Sequence, residues 1–108
     1  MIKVSVMYPN TPGARFDHEY YRDQHMPSLV EMFGREAITR VEVRKGISSP
    51  NGREPPLYSC TANIYVSDAR AFAAAESRNR QRVADDVRRF TSVSPISLMT
   101  EVSGAFDA

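Results

Sequence analysis

Leu57-Tyr58-Ser59-Cys60-Thr61-Ala62-Asn63-Ile64-Tyr65-Val66-Ser67-Asp68 alternates and then stops. On an extended chain Tyr58, Cys60, Ala62, Ile64 and Val66 share one face, while Ser59, Thr61, Asn63 and Tyr65 share the other. That is the period of a strand with one buried side. Asp68 then suits a helix N-cap, since its carboxylate can accept from the first free amides. Ala69, Ala71, Ala73, Ala74 and Ala75 favour helix, and Phe72, Val83, Val87 and Phe90 recur at helical spacing. Upstream, Ile38–Ile47 is a second β-branched run, with Val41 and Val43 opposite Arg40, Glu42 and Arg44. The polar, turn-rich Ser48–Pro56 between the two strands reads as a surface loop. The centre of the chain is therefore strand, loop, strand, helix.

Outward from that centre the pattern repeats. Ile2, Val4, Val6 and Tyr8 alternate with Lys3, Ser5 and Met7, and the turn formers Pro9–Gly13 end this first strand. Asp17 suits a second N-cap, with Phe16 before it as a hydrophobic staple and Glu19 in the first turn. The helix should reach Gly34. Pro27 removes one donor and crowds the carbonyl of Asp23, so a kink or break is expected near His25-Met26-Pro27. A last strand fits Ile96–Val102. The order is βαββαβ, an α+β, ferredoxin-like plan in which two helices cover one face of a four-stranded antiparallel sheet. Residues 1–103 form one domain on this reading, and 104–108 a frayed tail. Val4, Val6, Val41, Val43, Ala62 and Ile64 belong to the covered face, with Ile96 and Leu98 assigned beside them. Ser5, Met7, Glu42, Asn63, Tyr65, Met99 and Glu101 belong to the open face. That face reads either as a solvated surface with scattered apolar groups or as a sheet-to-sheet homodimer contact.

The 108 residues are 42% hydrophobic and 25% charged, which fits one globular domain. Fourteen basic and 13 acidic residues give a net charge of +1, so neither nucleic acid nor an acidic membrane is an expected partner. The single Cys60 cannot form an intrachain disulfide, and its place on a core face reads as inert. No stretch approaches the roughly 18 apolar residues of a membrane span, and the opening residues lack a signal-peptide core, so the default location is cytoplasmic.

Chemistry-bearing motifs are few. His18 and His25 lie outside any metal-ligand spacing, and the five glycines are too dispersed for a phosphate-binding loop, so no bound cofactor or metal is expected. What remains is polar groups on apolar stripes. His25 shares a helical face with Tyr21, Leu29 and Phe33, and an imidazole there is costly unless hydrogen-bonded. It reads as a satisfied core histidine or as a group that titrates near neutral pH. Asn79 lies on the stripe of the second helix, with Asp86 seven residues on. A polar cluster in an apolar helix–sheet gap is where a small ligand binds. The arginines of the second helix, interleaved with acids, read as a solvated face.

Tyr8-Pro9-Asn10, then Phe16-Asp17-His18-Glu19-Tyr20-Tyr21, then His25-Met26-Pro27 resembles the opening signature of the EthD family in the dimeric α/β-barrel superfamily. Asp86-Val87-Arg88-Arg89-Phe90-Thr91 followed by Pro95 is similar to that family's Asp-containing helix end. The resemblance implies protomers that pair sheet to sheet as a homodimer, and it makes His25 the leading site residue. Relatives in the superfamily include cofactor-free monooxygenases, muconolactone isomerases and aldoxime or haem enzymes. EthD proteins are often described as reductases, but no nicotinamide or flavin motif stands here. The expected function is a catabolic or secondary-metabolism enzyme acting on an apolar, oxygenated small molecule by oxygenation or isomerisation. His25 would be the general acid/base, and Tyr21 would orient it or donate to an oxyanion. Tyr8, Asn10, Asn79 and Asp86 would line the substrate pocket. A non-catalytic, ligand-binding accessory protein is the alternative, and haem ligation by His25 a third.

Overall fold

A computed structural model describes residues 1–108. Strand β1 (Ile2–Pro9) leads into a helical stretch made of α1 (His18–Tyr20), a π-helical turn (Tyr21–His25) and α2 (Met26–Phe33). Strands β2 (Ile38–Lys45) and β3 (Tyr58–Val66), helix α3 (Ala69–Val87) and strand β4 (Ile96–Glu101) complete the βαββαβ order. The sheet order is β2-β3-β1-β4, with every neighbouring pair antiparallel. Residues 102–108 are exposed and carry no regular structure. No helix is long and apolar enough to cross a membrane.

The local signals act where the sequence places them. Asp17 accepts from the backbone N–H of Tyr20, and Asp68 accepts from those of Arg70 and Ala71. Phe16 staples against Tyr21, ring centroids 5.3 Å apart. At the proline the chain does not break. The N–H of Met26 reaches back five residues to the carbonyl of Tyr21, and Pro27 then falls in the first turn of α2, where a missing N–H costs least. Gly34 ends the helix at φ 80° and ψ 166°, a conformation open to glycine and few others.

The covered face forms as expected on three strands. Val4 lies opposite Ile64, Val6 opposite Ala62, and Val41 and Val43 opposite the same two β3 residues. Strand β4 corrects the reading. Met99 pairs with Val4, and Ser97 with Val6, so Met99, Ser97 and Glu101 face the helices. Ile96 and Leu98 pair with Met7 and Ser5 and stand on the open face, half exposed at 50% and 55%. A one-residue change of phase sends every side chain to the opposite face. Ile96-Ser97-Leu98-Met99 is apolar on both sides, so alternation does not specify which side is buried.

One further contact positions everything that follows. Phe16 bridges Thr91, the N–H of Asp17 donates to the carbonyl of Phe90, and the Thr91 hydroxyl donates to the carbonyl of Arg15. The Arg15 guanidinium donates to the carbonyls of Arg88 and Arg89, just past α3, where a cation is favoured. The start of the first helical stretch is thereby fastened to the end of α3.

Candidate active site

Fastening those two ends brings an aromatic group around Phe90, which is fully buried. Its ring lies 4.7 Å from that of His25, 5.0 Å from Tyr21, 5.4 Å from Phe16 and 5.6 Å from Tyr8. Tyr21 stacks on His25, with ring centroids 5.4 Å apart and planes 17° from parallel. This packing holds the imidazole in one orientation without any polar contact to its faces.

The edge of the ring carries the chemistry. His25 is 3% exposed, and its Nδ1 lies 2.7 Å from Oδ2 of Asp86, at the end of α3. The phenol of Tyr20 donates to Oδ1 of the same carboxylate, also at 2.7 Å. Burial would raise the Asp86 pKa, but the bonds from Tyr20 and His25 and the nearby Arg89 charge outweigh it and hold the carboxyl below its ordinary range. For His25, burial dominates and lowers the imidazole below 6.5, with the Asp86 hydrogen bond and charge opposing. Near neutral pH the pair is thus a carboxylate and a neutral imidazole. A carboxylate only accepts, so the single ring proton is on Nδ1 and the lone pair is on Nε2. No protein group partners Nε2, and it is not sealed off.

Nε2 has somewhere to act. A cavity of about 740 Å³ opens between the helices and the β1–β4 side of the sheet, within the size range of small-molecule sites. His25, Tyr8 and Tyr21 border it together with apolar side chains such as Val6, Leu29 and Val83. The hydroxyls of Tyr8 and Tyr21 find no protein partner either, although the residues are 2% and 1% exposed. Burial pushes both phenols well above their ordinary pKa, so both stay protonated as donors. At the mouth, Glu76 and Arg80 pair at 3.1 Å.

Of the residues singled out from sequence, the fold gathers Tyr8, Tyr21, His25 and Asp86, but Asp86 meets the imidazole and does not itself border the cavity, where it was expected as lining. Asn10 lies elsewhere: it is exposed, donates to the carbonyl of Pro56 and accepts from Ser59, tying the loop before β3 to the end of β1. Asn79 is buried, but its amide donates to the carbonyl of Ala75 one turn back, and it does not border the cavity. Burial raises the Cys60 thiol to about 11, which keeps it a protonated core residue. No three His, Cys, Asp or Glu side chains gather where they could hold a metal ion. Sequence reading passed over Tyr20. The one available signal was its place beside Tyr21, one residue around the helix and so turned toward α3 rather than the sheet.

The EthD domain family model matches residues 13–94. The chain belongs to the EthD family. An EthD-like protein from Ralstonia eutropha JMP134 is 35% identical, with 95% of this chain and 92% of that one covered and a TM-score of 0.90. An EthD-family protein from Bacillus halodurans C-125 is 17% identical over 94% of this chain and 98% of that one, TM-score 0.70. SnoaB, a cofactor-independent oxygenase from Streptomyces nogalater, shares the fold at 10% identity, covering 99% of this chain and 96% of that one, TM-score 0.63. No curated protein matches the chain. These EthD likenesses establish the family and the α+β, ferredoxin-like protomer, and His25 and Asp86 both lie inside the matched region.

Proposed function

We propose that this EthD-family protein is a cofactor-independent enzyme that removes an acidic C–H proton from an apolar, oxygenated small molecule, with Nε2 of His25 as the base. One observation carries the reading: a buried imidazole is held through Nδ1 by an ionised carboxylate, its other nitrogen has no protein partner, and the residue borders an apolar cavity. Because burial keeps the imidazole neutral at pH 7, the base form is the resting form. The proton passes from substrate carbon to Nε2, and the electron pair moves onto the substrate oxygen as an enolate. Tyr8 and Tyr21 supply the donors for that oxygen, and Asp86 stabilises the imidazolium as it forms.

Two outcomes are open to the enolate. Return of the proton to a different carbon gives an isomer. Alternatively the enolate gives one electron to dioxygen and the two radicals recombine. The proton held by His25 completes a hydroperoxide, and loss of water from it leaves a new carbonyl. A methylene and O2 then become a carbonyl and one water. The fold shared with a cofactor-independent oxygenase supports the second route. The open face supports a homodimer: Met7, Ile96 and Leu98 form its β1–β4 half, whereas Arg44, Glu42 and Asn63 pair among themselves on the β2–β3 half.

Anthrone, an apolar tricyclic ketone with an acidic methylene, is a suitable probe. Wild-type protein should accelerate its deuterium exchange, read by NMR, and its oxygen uptake, read at an electrode. His25→Ala should abolish both. A folded His25→Ala protein that keeps full turnover removes His25 as the base. Anthrone bound by wild type without acceleration of either process favours the accessory-protein reading.

A further inference from the structure

We propose that Tyr20 is a positioning residue: its phenol holds Oδ1 of Asp86 so that only Oδ2 is offered to His25, and this keeps the imidazole proton on Nδ1 and the lone pair on the cavity side. The inference rests on His25 as the base and names what sets that base in its working form.

Two contacts, and a fully packed neighbour in the chain, fix Tyr20 independently of Asp86. Its backbone N–H donates to the Asp17 cap at 3.1 Å, its ring stacks with Phe90 at 6.3 Å and 24°, and its neighbour Tyr21 is fully packed. The phenol therefore reaches Oδ1 from an anchored ring rather than from a mobile side chain. Asp86 needs such an anchor. Its side chain is 23% exposed in the last turn of α3, and Nε of Arg89 stands 3.7 Å from the same Oδ1. Arg89 is 71% exposed, so a carboxylate that turned toward it would leave the dry side of the helix for water and abandon Nδ1. Tyr20 occupies the oxygen by which that turn would begin. Around the dyad, the titratable or charged neighbours are Tyr20 and Tyr21 from the first helical stretch, Tyr8 from β1, and Asp86 and Arg89 from the α3 end.

The test is Tyr20→Phe, which keeps the ring against Phe90 and removes only the hydroxyl. The chain has two histidines, so ring-15N-labelled protein gives two readable imidazoles, with His18→Gln assigning them. In wild type the His25 ring should show the proton on Nδ1. In Tyr20→Phe the Nε2–H tautomer should appear. The His25 midpoint should fall by about 1 pH unit, toward the low end of what a neighbouring opposite charge contributes, because Asp86 is the group that raises it. Turnover of anthrone should drop about tenfold with little change in KM, as for other outer partners of a working group. A ring that stays wholly Nδ1–H with an unmoved midpoint overturns the proposal. So does a midpoint that rises, since that would mean Tyr20 only withdraws charge from a carboxylate already held. The ring spectrum reads the hydrogen bond whether or not substrate reacts, so an active His25→Ala protein would remove the function and leave this result standing.

Discussion

Asp86→Asn exchanges a charge for an amide of nearly the same shape, 2.7 Å from Nδ1 of a residue whose side chain is 4% exposed. Two effects follow. The first is electrostatic: once Nε2 takes the proton, imidazolium and carboxylate centres lie about 4 Å apart, worth about 4 kcal/mol at an effective dielectric of about 20. If half of that charge has developed in the transition state, its loss slows the reaction roughly 30-fold. The second is the tautomer. The new amide can donate to Nδ1, which sends the ring proton to Nε2 and blocks the base; in the serine-protease triad the equivalent exchange costs about 10⁴ in kcat. The expected loss of anthrone turnover is therefore on the order of 10² to 10⁴. The pH profile separates this mechanism from general damage. Wild type should gain activity through a midpoint below 6.5 and then reach a plateau. Asp86 raises the His25 pKa against burial, so in Asp86→Asn the rising limb should move to lower pH while the plateau falls. A plateau within about threefold of wild type, or a limb displaced to higher pH, would refute the argument, since either outcome means the carboxylate does not act through His25.

Acid stability should carry the same signature. The folded His25 pKa lies below its unfolded value of 6.5, so the unfolded chain binds more protons in that interval and stability falls as pH drops through it. Asp86, with its folded pKa below 3.8, adds a second loss only at lower pH. The thermal midpoint should fall between pH 7 and pH 5 in wild type and stay flatter over that range in His25→Gln; parallel slopes would contradict the assignment. At the open face, Leu98→Glu places a charge at the centre of the apolar β1–β4 half. Sedimentation should give a dimer of the 12.1 kDa chain for wild type and a folded monomer for the variant, and a monomeric wild type at micromolar concentration would exclude sheet-to-sheet pairing.

What was legible in the sequence is what a single element decides for itself. Caps at Asp17 and Asp68, the stop at Gly34 and the faces of β1, β2 and β3 follow from spacing and from local hydrogen bonding, and the family signature agrees with them. Pro27 was legible as a disturbance, but its remedy was not. A π turn and a break relieve the same missing donor, and the choice depends on whether Tyr21 and His25 are worth keeping in one stack. Strand β4 failed for the opposite reason: apolar residues on both of its sides leave its phase to be set by pairing with β1.

The candidate site lies between those limits because it belongs to two elements. Tyr21 and His25 could be put on one face from their spacing, and Asp86 on the edge of another helix, yet nothing in either pattern states that the two meet 61 residues apart. What joins them is the Phe16–Thr91 backbone bridge together with the Arg15 and Thr91 side chains, which donate to backbone carbonyls across the junction and carry no periodic signal. The same fastening explains the disappointing candidates. Asn79 lies two turns before Asp86, beyond the reach of the fastened end, and it satisfies its amide on its own helix at Ala75. Asn10 lies past the end of β1, where its amide donates to the carbonyl of Pro56. A polar residue on a buried stripe becomes part of a site only where a second element brings it a partner and leaves one of its atoms free. His25 meets both conditions, with Nδ1 on Asp86 and Nε2 unpartnered beside the cavity, whereas Asn79 meets neither: its amide donates to Ala75 and its oxygen accepts from Arg82, both on its own helix.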